Sequence, residues 1–336
     1  MPPVLASVWR GGVREAVIRG HVAVATAAGE VIGSAGDPEA MTTLRSCVKP
    51  IQALPFVRLA AAELGVTEAE VAIACASHQG ENVHLATVRG LLSRAGVSES
   101  ALGCGPQLPY NEEAARRLLA SGGTPQPIHN NCSGKHAAML ATCAVMGWPL
   151  DGYKDEAHPG QQAVTRALEE MLGLDLARGP KGIDGCGLTT YGTPLAAIAR
   201  GFAAAGTDPA FQRCQDAMAA NPHLIAGTRK FDTALLAEAG TRVTAKIGGA
   251  AVWAAVLRPG GPGIAIKLEA GAMEAMPVAA TAVLQQLGVF TRELPASLRG
   301  FATLALHNWA GTDVGHIRAE HDALRSIAPI HLPEGL

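Results

Sequence analysis

Strand-forming segments stand at both ends of this chain, and a long helical stretch lies between them. That order constrains the fold more than any other feature. Val4–Trp9, Ala16–Thr26 and Val31–Ser34 are rich in β-branched residues and are separated by tight connections, so they read as antiparallel strands. Far downstream, Ala251–Leu257 and Gly263–Leu268 flank Arg258-Pro259-Gly260-Gly261-Pro262, a strong turn signal. Between the hairpins the apolar spacing is helical. It predicts helices near 49–64, 67–75, 82–95, 112–120, 134–146, 158–173, 194–205, 208–219 and 229–238, with another near 273–287. Chain ends that supply one antiparallel sheet around a helical insertion make an α+β fold. No internal repeat, low-complexity tract or long linker divides the 336 residues, and a single catalytic domain over 1–336 is expected.

Composition narrows the function. Hydrophobic residues make up 48 % and charged residues 17 %, which excludes a disordered or fibrous chain. A net charge of −2 offers no basic field for nucleic acid and no polybasic patch for a membrane. No uninterrupted apolar run reaches the ~18 residues of a membrane helix. The first 22 residues carry Arg10, Arg14 and Arg19 among short apolar pieces, without the apolar core of a signal peptide. Seven widely spread cysteines are an odd number, which argues for thiols or a metal site over a disulfide framework and for a cytoplasmic protein.

Lysine is scarce, with seven against twenty arginines. Where arginine is the habitual cation, a lysine in an unusual context is a candidate for what arginine cannot do, namely become a neutral amine. Lys49 follows Ser46 by three residues at a helix start, in Arg45-Ser46-Cys47-Val48-Lys49-Pro50. Two such residues share a helix face, so a desolvated amine could take the serine proton. The plainer reading is a surface serine near a solvated lysine. Ser77, in Ala76-Ser77-His78-Gln79-Gly80-Glu81, sits between an apolar run and a helix, where a serine is either an N-cap or a hydroxyl presented to a cleft. Asn130-Asn131-Cys132-Ser133-Gly134-Lys135-His136 puts a thiol, an amine and an imidazole at a helix start, and Gly182-Ile183-Asp184-Gly185-Cys186-Gly187 is a tight glycine-rich loop. Cys132 and Cys186 could share a zinc ion with a third ligand, or could simply be two buried cysteines. Lys267 interrupts the apolar strand Ile264–Leu268, either at an exposed edge or buried for a purpose. His307, His316 and His321 lack zinc-ligand spacing, and no nucleotide-binding glycine motif is present.

Taken in order, R-S-C-V-K-P, A-C-A-S-H, H-N-N-C-S-G-K-H, G-I-D-G-C-G and G-I-A-I-K-L-E resemble the L-asparaginase II family, the thermolabile, class 3 type. The resemblance runs from about residue 3 to about residue 325 and includes Pro222–Leu236 and Asn308–Arg318. It implies hydrolysis of the side-chain amide of L-asparagine, a fold similar to serine β-lactamases and β-lactamase-like glutaminases, and a homodimer. It implies two Ser–Lys pairs, Ser46 with Lys49 and Ser77 with Lys267. It also implies a zinc ion held by Cys132, Lys135 and Cys186, near the active site but not the activator of the nucleophile. Arg45, His136 and Asp184 match further cleft positions, taken as substrate-binding. One segment departs from the pattern: Lys246-Ile247-Gly248-Gly249-Ala250-Ala251 stands where the family reads closer to K-x-G-A-E-G, so its acidic residue is missing. Competing readings are a serine acyl-enzyme acting on glutamine or a β-lactam-like amide, although S-D-N and K-T-G motifs are absent, and a non-catalytic zinc- or amino-acid-binding relative.

Overall fold

A computed structural model describes residues 1–291 and 293–330; Arg292 and the last six residues of the expected 1–336 domain lie outside it. The strands are β1 (Val4–Arg10), β2 (Val13–Ala25), β3 (Val31–Ala35), β4 (Met41–Thr43), β5 (Lys181–Ile183), β6 (Thr189–Pro194), β7 (Val243–Gly248), β8 (Val252–Leu257), β9 (Gly263–Leu268), β10 (Thr303–His307) and β11 (Asp313–Ala319). The helices are α1 (Lys49–Gln52), α2 (Leu54–Leu59), α3 (Glu68–Ala74), α4 (Asn82–Arg94), α5 (Glu112–Ala120), α6 (Ser133–Met146), α7 (Pro159–Leu172), α8 (Leu195–Ala205), α9 (Pro209–Ala220), α10 (Pro222–Ala226), α11 (Phe231–Ala239), α12 (Met276–Gln286) and α13 (Ala296–Ala302). The fold is α+β, as the bracketing strands imply. The chain forms two compact units: Met1–Cys47, Thr193–Ala204 and Thr241 onward make the first, Val48–Gly192 and Ala205–Gly240 the second.

The first unit is built on an antiparallel sheet in the order β10-β11-β1-β2-β9-β8-β7, with β3 also paired to β2. Both chain ends contribute to it. β8 is buried along its whole length, which is why its sequence, VWAAVL, is apolar without alternation. β2 changes character midway: its first five residues are exposed and burial begins at Ile18. At Gly263 a Cβ would lie 1.8 Å from the carbonyl oxygen of Ala199 in α8, so only glycine lets that helix lie so close to β9.

The turn from β7 to β8 carries strain. Ala250 and Ala251 both have positive φ, 57° and 51°, a pattern for which hairpins normally use Asn-Gly or Gly-Gly. A left-handed alanine costs about 1–2 kcal/mol, partly offset by the entropy a glycine would lose. Ala250 is exposed, so Ala250→Gly removes the strain without opening a cavity. It is expected to raise unfolding free energy by about 1 kcal/mol, read as a higher urea midpoint at unchanged slope.

The second unit is mainly helical, with β5 and β6 paired antiparallel in the register Lys181↔Tyr191. The sequence reading of one helix over 49–64 gives way to two short ones, α1 and α2. Pro55 stands in the first turn of α2 and has no N–H to continue the α1 ladder, so the chain breaks at Ala53. Helix α3 opens on a capping box, in which the Thr67 side chain accepts from the Glu70 N–H and the Glu70 carboxylate accepts from the Thr67 N–H. It ends at Ala74, and the following loop, which carries Ser77, runs to α4.

Candidate active site

The predicted site residues divide between the units. Arg45, Ser46 and Lys267 belong to the first; Lys49, Ser77, Cys132, Lys135, His136, Asp184 and Cys186 belong to the second. Each Ser–Lys pair therefore takes one member from each unit. Ser46 and Lys49 are three residues apart, so chain length alone limits their Cα separation to about 11 Å.

Ser46 is the second residue of a single 3-10 turn, Arg45–Val48. Arg45 enters it with φ 46°. A Cβ on Gly248 would lie 2.7 Å from the Cys47 nitrogen and 3.1 Å from the Ser46 nitrogen, and one on Gly249 would lie 2.8 Å from Arg45 Nη2. The two glycines at the end of β7 thus leave room for the backbone of the Ser46 turn. Lys267 is half-buried on β9, opposite Val252 of β8, which itself faces Gly248. Its Nζ donates to Leu268 O at 2.8 Å and to Ala250 O, so it also braces the strained turn. Burial lowers its pKa; Glu269 opposes this and Arg45 adds to it.

In the second unit Lys49 is 0 % exposed. Its Nζ donates to Ala76 O, the residue before Ser77, at 2.6 Å, and lies 3.2 Å from Cys132 Sγ. Ser77 Oγ is shielded from solvent and has no hydrogen-bond partner among the described residues. Helix α6 begins just beside this loop: the His78 N–H donates to Asn131 O at 3.2 Å. The glycine in C-S-G-K-H explains the approach, because a Cβ on Gly134 would sit 2.2 Å from the carbonyl oxygen of Ile73 in α3. Gly134→Ala is therefore expected to destabilise the protein by about 2 kcal/mol or more, seen as a lower denaturation midpoint, despite alanine's better helix propensity.

Cys132, Lys135 and Cys186 converge, although 51 residues separate the last two. Lys135 Nζ lies 3.3 Å from Cys186 Sγ, and the two thiols are in hydrogen-bond contact. All three side chains are buried. The Cys132 thiol is held well below its usual pKa by its contact with Cys186 and by Lys49 and Lys135, against the opposing effect of burial. The Cys186 thiol is raised by its contact with Cys132 and by burial. Burial opposes the Lys135 ammonium, but Cys186, Cys132 and Asp184 together outweigh it and raise its pKa. No group of three or more His, Cys, Asp or Glu side chains among the described residues is arranged to hold a metal. Two sulfurs and one amine form a different donor set. Their convergence in a buried site fits a soft, tetrahedral ion such as zinc, once the sulfurs and the amine lose their protons.

His136 is 0 % exposed; its Nδ1 shares a hydrogen bond of 2.5 Å with the Tyr153 hydroxyl, and its Nε2 has no partner among the described residues. Burial, with Lys135, Lys49 and Lys154 nearby, holds it neutral. Asp184 is half-buried, and its Oδ1 accepts from the Gly185 N–H at 2.7 Å.

The sequence reading missed a histidine stack beneath the Ser77 loop. His78 lies on His84 with centroids 5.0 Å apart, and His84 lies on His223 at 5.5 Å. Glu81 ties the same loop to the 223–228 segment, accepting from the Thr228 N–H, the Thr228 hydroxyl and His223 Nε2 at 2.8, 2.9 and 3.0 Å. His78 was visible in A-S-H, but its partners are far away in sequence and share no spacing rule.

The fold and these residues meet in one class of protein: the chain is an asparaginase-type amidohydrolase. It belongs to the L-asparaginase II family, whose profile matches residues 6–319 of the 336. Among solved structures, the native form of a protein called Mglu is similar at 14 % identity and a TM-score of 0.44, over 92 % of this chain and 74 % of that one. A comparison with curated proteins gives no match. No helix among the described residues is long and apolar enough to cross a membrane.

Proposed function

We propose that this protein is an L-asparaginase that hydrolyses the side-chain amide of L-asparagine to L-aspartate and ammonia through a serine acyl-enzyme. The observation that carries the reading is Lys49: a wholly buried lysine, three residues after Ser46, whose amine reaches the backbone just before Ser77. In the reaction Ser46 Oγ attacks the amide carbon while Lys49, having first lost its own proton, takes the hydroxyl proton. Ser77 and Lys267 pass a proton to the leaving nitrogen, so ammonia departs and the ester remains on Ser46. They then take a proton from the water that cleaves the ester, which restores them, and Lys49 returns its proton to Ser46 as the acyl group leaves. The lowered pKa of Lys267 suits a group that must give and take a proton. Backbone N–H groups, that of Ser46 among them, stabilise the oxyanion. Arg45, His136 and Asp184 bind the substrate's α-carboxylate and α-ammonium.

Zinc, held by Cys132, Lys135 and Cys186, supplies Lewis acidity beside the substrate when bound. Lys135 could not be arginine there, because a guanidinium does not deprotonate. The two units act as one catalytic domain, in a cytoplasmic homodimer. No nucleic acid or membrane partner is expected.

The 246–251 segment favours a second reading, in which another amide is preferred. With Ala250 at the position where the family's pattern has glutamate, the turn brings no carboxylate. Ammonia release from L-asparagine and L-glutamine at matched concentrations decides between them. A higher kcat/KM for asparagine supports the asparaginase; a preference for glutamine replaces it with the second reading.

A further inference from the structure

We propose that His78 is a positioning residue for Ser77, acting through a hydrogen bond to Ser133 that fastens the Ser77 loop to the first turn of α6. The inference rests on the reading of Ser77 as a site residue. His78 and Ser133 are both 0 % exposed. The tautomer follows from the partners. The Gly80 N–H donates to His78 Nδ1 at 3.1 Å, which makes Nδ1 the acceptor and leaves the proton on Nε2. Nε2 then donates to Ser133 Oγ at 3.0 Å, and the Ser133 hydroxyl donates onward to Ile128 O at 2.9 Å. Every polar atom in this chain has a defined direction, so the arrangement is rigid and does not tolerate inversion.

The latch matters because of where its ends lie. Ser77 is adjacent to His78, and its own N–H donates to Ile225 O at 2.9 Å. The loop is thus held on one side by the 223–228 segment and on the other by α6. Ser133 follows Cys132, so the bond ties the Ser77 backbone to the helix start that carries Cys132 and Lys135. A serine that must hand over a proton needs its oxygen placed within a few tenths of an ångström, and a displacement of 1 Å can cost about 10²-fold in rate.

Three variants separate this role from bulk packing. Glutamine places an amide N–H near the position of Nε2, asparagine places one near Nδ1 and falls short of Ser133, and phenylalanine keeps the ring alone. Hydrogen exchange over residues 76–81 and 131–134 is measured beside kcat and KM for asparagine. His78→Phe and His78→Asn are expected to speed exchange in both segments about tenfold or more and to lower kcat about 10²-fold, with KM within threefold. His78→Gln is expected to keep both near wild type. If the phenylalanine variant does not fold, the Gln–Asn comparison carries the test. Unchanged exchange in His78→Asn, an equal loss in His78→Gln, or faster exchange without a fall in kcat overturns the proposal. A wild-type enzyme that releases no ammonia contradicts the asparaginase reading, while the exchange data still decide the latch.

Discussion

Lys49→Met is expected to lower kcat for asparagine hydrolysis by about 10²–10⁴-fold, the range a general base contributes. Methionine matches the length and apolar body of lysine, so the 0 % exposed site stays filled. The Ala76 carbonyl loses its 2.6 Å donor, at a cost of about 1–3 kcal/mol in stability, which leaves the variant folded under assay conditions. Lys49→Arg is expected to be as inactive as Lys49→Met. A guanidinium keeps the positive charge and the hydrogen-bonding capacity but cannot accept a proton. The arginine variant thus separates a base from a mere cation. Steady-state ammonia release checks both, and a Lys49→Arg enzyme with substantial activity contradicts the role given to Lys49.

Stability is expected to fall steeply with acid below pH ~6.5, driven by the buried pair His78 and His84. Burial, with His84 and Lys49 beside it, holds His78 well below the ordinary imidazole value. Burial also lowers His84, outweighing the opposing effects of the His223 carbonyl and Glu81. Their folded pKa values lie below the unfolded value near 6.5. Between the two, the unfolded chain holds the extra protons, so stability rises with pH there. The contribution is fully present above that unfolded value and is lost as pH falls toward the folded values. Each site contributes a slope of up to about 1.4 kcal/mol per pH unit. Urea denaturation at pH 7.5 and 5.5 measures it. A midpoint that does not move between these values contradicts the neutral, buried state of His78 and His84.

The parts of the fold that sequence showed most clearly were those where local pattern and burial agree. β8 and β9 are apolar on either side of a Pro/Gly turn, and both are buried in the sheet. β7 escaped notice because Lys246 and Gly248 interrupt its apolar pattern, although both are buried there. β10 and β11 escaped for the opposite reason: they are largely exposed, so selection for alternating apolar residues is weak. Within the site, Ser46 and Lys49 were legible because they are neighbours in sequence. Cys132 and Cys186 were read from sequence only as possible zinc ligands, and Lys135 joined them through the family resemblance, since no local rule joins a helix start to a loop about fifty residues on. The histidine stack and the Glu81 bonds depend on α4 and the 223–228 segment meeting in space, which periodicity does not encode. The strained Ala250–Ala251 turn was visible only as a departure from the family's sequence, and its backbone consequence needed the structure.

The most direct test of the account is ammonia release from L-asparagine by wild type, Ser46→Ala and Ser77→Ala, assayed together with metal content. The account predicts release by the wild type, none above background from Ser46→Ala, and a strong fall for Ser77→Ala, with zinc retained in all three. Release by Ser46→Ala at the wild-type rate would contradict it, and would move the attacking oxygen away from Ser46.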